Sequence, residues 1–235
     1  MEKLYKIADL VVAMDTFGRT EQQAIPYLLG ELAEPVFSVK SYADVMKEQF
    51  PNLSDDDAEY MGTGGGFYKE LLKNGGLQLH SSAVVVDRKA YLFSANSGTG
   101  KSTHTGLWLK LFGDKAIILN DDKPALRKKD GIWYAYGTPW SGKHDISVNT
   151  GVPVAGICMI ERGQENVIEP FDGRQAILAV FSQCSVIKSA EYRILQLELL
   201  DDLIRNVPIW KLHCNMEIEA AKVSYEAMSG RKLEK

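Results

Sequence analysis

The sequence predicts an α/β fold: a mixed sheet, rich in hairpins, arranged around a phosphate-binding loop. Three observations carry this. An apolar run at 91–93 leads into Ala95-Asn96-Ser97-Gly98-Thr99-Gly100-Lys101-Ser102, and helical spacing follows it. Two pairs of β-rich runs are separated only by turn chemistry: 80–86 from 90–94 by Asp87-Arg88-Lys89, and 125–128 from 132–136 by Asp130-Gly131. Further on, helical periodicity alternates with short apolar runs to the C-terminus.

In chain order, residues 6–14 read as a buried strand, 20–33 as a helix carrying a proline, and 36–39 as a short strand. Ser54-Asp55-Asp56-Asp57 reads as a solvated helix start. Gly62-Thr63-Gly64-Gly65-Gly66 reads as a loop before a helical stretch at 67–72. Such a loop could hold phosphate, but no lysine follows at the required offset and a plain turn is the simpler reading. With the first hairpin turning about Arg88, partners sum to about 176, which places His80 opposite Asn96 at the loop mouth. Residues 107–112 continue the helix that opens at the loop, and 116–119 and 154–160 are strands. Residues 174–187 and 193–206 have helical spacing, 209–213 is a strand, and 216–228 is a helix closed by Gly230.

The 235 residues, 45% apolar, suffice for one well-buried core, and no repeat or low-complexity tract divides them. Residues 1–78 are expected to form a small N-terminal α/β subdomain packed on a core of 79–235, together one compact unit. With 31 acidic and 27 basic residues, the net charge of −4 argues against a nucleic-acid-binding surface. Cys158, Cys184 and Cys214 are odd in number and lack CxxC spacing, so they read as buried apolar residues in a reducing compartment. The longest apolar run, 152–160, is too short to span a bilayer, and the N-terminus lacks a signal-peptide core. No membrane association and a cytoplasmic location are therefore expected.

The octapeptide at 95–102 matches the Walker A pattern with alanine in place of the first glycine. Glycines let backbone N–H groups curl around phosphate, and the helix beginning near Lys101 presents its positive end. Asn96, Ser97, Gly98, Thr99, Gly100, Lys101, Ser102 and Thr103 are thus the candidate nucleotide-binding residues. Lys101 would neutralise the β and γ oxygens of ATP, and the Ser102 hydroxyl would ligate Mg2+. The apolar run ending in Asn120-Asp121-Asp122 supplies the carboxylates such a metal needs. Two adjacent carboxylates stay ionised near a cation, and alternating side-chain directions let one face metal and the other substrate. A strand-ending turn is the plainer alternative. His80 is either structural or a general base or aspartate partner. Lys143, in a Gly- and Pro-fixed loop with Trp140 and His144, is a candidate for stabilising transferred charge, against the commoner solvated lysine. Arg162 could approach the phosphates from its strand end, whereas His104 and His213 read as structural.

Hairpin, loop, helix, strand and Asp-Asp together resemble the HPr kinase/phosphorylase catalytic domain and its phosphoenolpyruvate-carboxykinase-like superfamily. The resemblance rests on Leu79-His80-Ser81-Ser82-Ala83-Val84, on Ser97-Gly98-Thr99-Gly100-Lys101-Ser102-Thr103 and on Asn120-Asp121-Asp122, and more weakly on Tyr136-Gly137-Thr138-Pro139-Trp140-Ser141-Gly142. It covers roughly residues 60–225. It implies that fold, an ATP- and magnesium-dependent serine kinase, and a catalytic set of His80, Lys101, Asp121 and Asp122, with Ser102, Asp121 and Asp122 toward the metal. The resemblance further implies that an aspartate, with or without His80, deprotonates the acceptor hydroxyl. The glycine-rich signature of true HPr kinases has no counterpart after residue 125, so the expected acceptor is a serine of a peptide or protein, or free serine. Those kinases are homo-oligomers, and no interface motif here fixes a number. Two other readings compete: a nucleotide-binding regulator or scaffold without transfer, and a carboxykinase-like enzyme acting on an oxo acid.

Overall fold

The computed structural model describes residues 2–233. It begins with a hairpin of β1 (Lys3–Ile7) and β2 (Leu10–Met14), not the single strand expected over 6–14. The turn at Ala8-Asp9 puts both residues at positive φ, a costly conformation without glycine. Distant groups hold it: Arg127 Nη1 donates to Ala8 O at 3.1 Å, and Lys129 Nζ and Tyr136 Oη each reach Asp9 Oδ2 at 3.1 Å.

Helix α1 (Gly18–Ala24) ends far short of residue 33, because Pro26 opens a short 3-10 turn at Ile25–Tyr27 and no regular helix resumes. Strand β3 (Phe37–Val39) joins β2 in parallel and completes a three-stranded sheet. Helix α2 (Ala43–Gln49) was not foreseen. Helix α3 (Asp55–Lys73) is capped by Ser54, whose Oγ accepts the Asp57 N–H at 3.1 Å.

The glycine cluster lies inside α3 and forms no loop. Close packing explains it: a Cβ on Gly62 would lie 2.8 Å from the Tyr42 backbone carbon, and one on Gly64 would lie 2.8 Å from Trp140 Cδ1. Neither the turn nor the phosphate loop considered for this position is present.

The main sheet has nine strands. They are β4 (Gly76–Gln78), β5 (Ser81–Val86), β6 (Lys89–Ser94), β7 (Ala116–Asn120), β8 (Ala125–Lys129), β9 (Ile132–Tyr136), β10 (Gly151–Arg162), β11 (Val167–Pro170) and β12 (Ile209–Cys214). Their order runs β4-β8-β9-β10-β6-β5-β7, with β12 on β10 and β11 on β12. Strands β4 and β11 escaped the sequence reading, being short or polar. Helices α4 (Lys101–Phe112), α5 (Gly173–Ser182), α6 (Ala190–Asn206) and α7 (Ile218–Ser229) complete the chain. The turn Asp87-Arg88 takes positive φ at both residues, and Ser81 pairs with Ser94. Partners therefore sum to 175, one less than expected, and His80 continues toward Ala95 rather than Asn96.

Strand β6 is parallel to β10, and β10 to β12; β7, antiparallel to β5, shares their direction. The carboxyl ends of β6, β7, β10 and β12 therefore meet at one edge, where ligands gather in open α/β sheets. Alternation along buried β5 splits the core. Val84 and Val86 pack with Trp108 of α4 and Tyr225 of α7, while Ala83 and Val85 pack with Val180 of α5 and Leu200 of α6. A third cluster joins residues before 78 to the rest: Tyr5, Tyr27, Phe67 and Tyr68 pack with Tyr136 and Trp140.

Candidate active site

The segment after β6 curls into a loop in which Gly98 (φ 76°) and Gly100 (φ 123°) occupy backbone conformations closed to most residues. Ala95 keeps a negative φ, so its replacement of the usual glycine costs nothing there. Lys101 opens α4, is 9% exposed, and donates to Ala95 O at 3.2 Å. Burial pulls its pKa below the ordinary lysine value, against the opposing pull of Asp122 and Asp121. A cation held this way, with one carbonyl for company, suits an anionic ligand.

Across the cleft, buried Asn120 ends β7 and shapes the acidic turn. Its Oδ1 accepts the N–H groups of Asp122 at 3.0 Å and Lys123 at 2.7 Å, and its Nδ2 donates to Thr138 O at 3.1 Å. The two aspartates then diverge. Asp121 Oδ1 accepts the Ser82 hydroxyl at 2.6 Å, and Ser82 Oγ lies 2.8 Å from Thr105 Oγ1 on the loop helix. Thr105 Oγ1 also lies 3.3 Å from each of the Lys101 and Ser102 carbonyl oxygens. Asp122 is 3.3 Å from His80 Nε2 and paired on its other oxygen with Lys123. Burial would raise the Asp122 pKa, but His80 and Lys123 outweigh it and hold the carboxyl below the usual range.

One cleft of about 580 Å³ is lined by His80, Ser97, Gly98, Gly100, Lys101, Ser102, Thr103, Asp121, Asp122 and Lys143. Asn96 and Thr99 line the adjoining face of the loop, beside Arg162. Lys143 is exposed and makes no ion pair among the described residues, whereas Arg162 donates to Gly98 O at 2.6 Å and braces the loop backbone. His104 is buried against Ser224 at 3.0 Å, with its pKa pushed down to about 4 by burial, and His213 pairs with Glu161 at 3.5 Å. Neither lines the 580 Å³ cleft.

Sequence reasoning missed Ser82, Thr105 and Lys123, and also Tyr60 of α3, whose hydroxyl accepts the Gly142 N–H at 3.0 Å. The adjacent Ser81-Ser82 pair after His80 was the available signal for the first. Among the described residues no cluster of three or more His, Cys, Asp or Glu is arranged to hold a metal, and no helix is long and apolar enough to cross a membrane. Ser102, Asp121 and Asp122, which line one cleft, are the oxygen-bearing side chains that could hold a magnesium ion.

No protein-family model matches the chain, and no curated protein matches it. Among solved structures, the fold is similar to the Hpr(Ser) kinase/phosphatase from Coxiella burnetii, at a TM-score of 0.37 and 12% identity over 65% of this chain and 93% of that one.

Proposed function

We propose that this protein is an ATP- and magnesium-dependent kinase that transfers the γ-phosphoryl group to a serine hydroxyl, of a peptide or protein or of free serine. The observation that carries the reading is the convergence, in one cleft, of a buried Lys101 at a helix start with two aspartates in different environments. Binding alone would not call for the second aspartate or its histidine.

The different partners assign different roles. Asp121, oriented by Ser82, would hold the metal together with Ser102, and magnesium bound there would neutralise phosphate charge. Asp122, charge-compensated by Lys123, orients His80 through Nε2 and leaves Nδ1 to take the acceptor proton. As His80 Nδ1 receives that proton, the acceptor oxygen bonds to the terminal phosphorus and the bridging oxygen to the β-phosphate leaves with the electron pair. Lys101 would stabilise the charge that develops there, and Lys143, which lines the same cleft, would stabilise the transferred group.

The test is incubation with γ-labelled ATP and magnesium against free serine, other hydroxylated metabolites and serine-containing peptides, with Lys101→Ala and Asp121→Asn as controls. Label transferred to one acceptor, and lost in both variants, supports the kinase. ATP binding without transfer or hydrolysis favours the regulator, and a requirement for bicarbonate favours the carboxykinase.

A further inference from the structure

No residue before position 79 lines the cleft of the aspartates, yet two side chains from that part of the chain grip its wall. The loop after Trp140 turns at Gly142, which has a φ of 80°. Tyr60 Oη of α3 accepts the Gly142 N–H at 3.0 Å, and Gln23 Nε2 of α1 donates to Gly142 O at 3.2 Å. That carbonyl belongs to the peptide unit leading into Lys143, which lines the cleft. Toward the cleft, Gly142 packs on Asp122 so closely that a Cβ would lie 3.0 Å from Asp122 Cβ. One residue is thus pinned between a catalytic candidate and two side chains supplied from outside the cleft.

The grip is itself well anchored. The Arg19 guanidinium lies 3.9 Å from the Tyr60 ring centroid, and Lys123 Nζ, the partner of Asp122, lies 5.5 Å from it. Tyr60 and Gln23 are both buried, and Gln23 Oε1 has no hydrogen-bond partner among the described residues. A buried amide with one half unpaired costs stability that an apolar side chain of the same size would not. What the amide contributes in return is its bond to Gly142 O. Further along α3, Tyr68 donates to Lys123 O, so the same helix also supports the acidic turn.

We infer that Tyr60 and Gln23 are positioning residues: by holding both backbone groups of Gly142 they set where Lys143 stands relative to Asp122 and the transferred phosphoryl group. The inference rests on the kinase reading of the cleft and adds that residues before 79 complete it. Calorimetric titration of the full chain with magnesium tests both, using a non-hydrolysable ATP analogue and, separately, ADP with aluminium fluoride, which mimics the phosphoryl group in transfer. Tyr60→Phe keeps the ring and removes only the hydroxyl. It should bind the ATP analogue within about twofold of wild type and ADP–aluminium fluoride about tenfold more weakly. Gln23→Met, acting on the other backbone group, should do the same and keeps the test open if one variant folds poorly. In a Lys143→Ala chain, itself weakened for ADP–aluminium fluoride, adding Tyr60→Phe should cost nothing further. A purely structural role would lower Tm and leave the ratio of the two affinities unchanged. An unchanged ratio, or a loss that persists in the Lys143→Ala chain, overturns the inference, as does wild type that binds the ATP analogue but not ADP–aluminium fluoride; each leaves nucleotide binding intact. If wild type binds neither ligand, the proposed kinase falls and the inference with it.

Discussion

Ser82, on β5 beside β6, donates its hydroxyl to Asp121 across the sheet edge at 2.6 Å. Ser82 is fully buried, so Ser82→Ala takes the hydroxyl donor from one Asp121 oxygen while Thr105 keeps the Lys101 and Ser102 carbonyls, at a cost of about 1–3 kcal/mol of stability. On the proposed metal role of Asp121, the magnesium needed for half-maximal transfer should rise by about tenfold or more. Denaturant unfolding and a magnesium titration check the two effects, and Ser82→Thr should restore the second.

Lys101→Met should lower the transfer rate by at least about 10²-fold, as loss of one charge-stabilising donor does. It should not destabilise the fold. The folded-state pKa of Lys101 lies below the unfolded value of 10.5, so between the two the unfolded chain binds more protons and stability climbs with pH. The variant should melt no lower than wild type near pH 7 and should show a flatter rise in alkali. A fall in Tm would contradict the buried, unpaired-charge reading of this cation.

Neighbouring glycines of α3 should respond oppositely to alanine. Gly65 faces open space, where Gly65→Ala is expected to stabilise by about 0.5–1 kcal/mol through helix propensity. Gly64→Ala drives a methyl group to 2.8 Å from Trp140 and should destabilise by about 1–3 kcal/mol. Equal shifts in the two unfolding midpoints would count against this packing.

Glu59 is buried, with Thr20 donating to one oxygen and, among the described residues, no hydrogen-bond partner on the other. Burial raises its pKa from 4.5 to about 6, against the opposing hydrogen bond from Thr20. A raised carboxyl favours the fold below the unfolded pKa and loses that contribution as pH rises through the folded one. Stability should therefore decline between about pH 4.5 and 6 by at most about 2 kcal/mol, and Glu59→Gln should remove that slope. Thermal melts across the interval read it directly.

What was legible in the sequence is what short-range chemistry determines. The loop at 95–102 needs glycines at fixed offsets, and Asp130-Gly131 is turn chemistry sufficient in itself; both lie where expected. The Ala8-Asp9 turn was illegible because its supports, Arg127, Lys129 and Tyr136, lie more than a hundred residues away. The glycines of α3 read as a loop because their partners, Tyr42 and Trp140, belong to other elements. Within the candidate site, titratable residues were visible by type. The groups that orient them were not, since Ser82, Asn120 and Tyr60 act through tertiary hydrogen bonds.

Strand β10 pairs with β9 through Gly151–Pro153 and with β6 and β12 through the residues that follow. Its two stretches share one continuous backbone, so fraying of the β4-β8-β9 flank exposes the strand on which the loop-bearing half is zipped. Heat or denaturant should consequently melt both flanks in one concerted step, and amide protons on either side of Val154 should exchange with similar opening free energies.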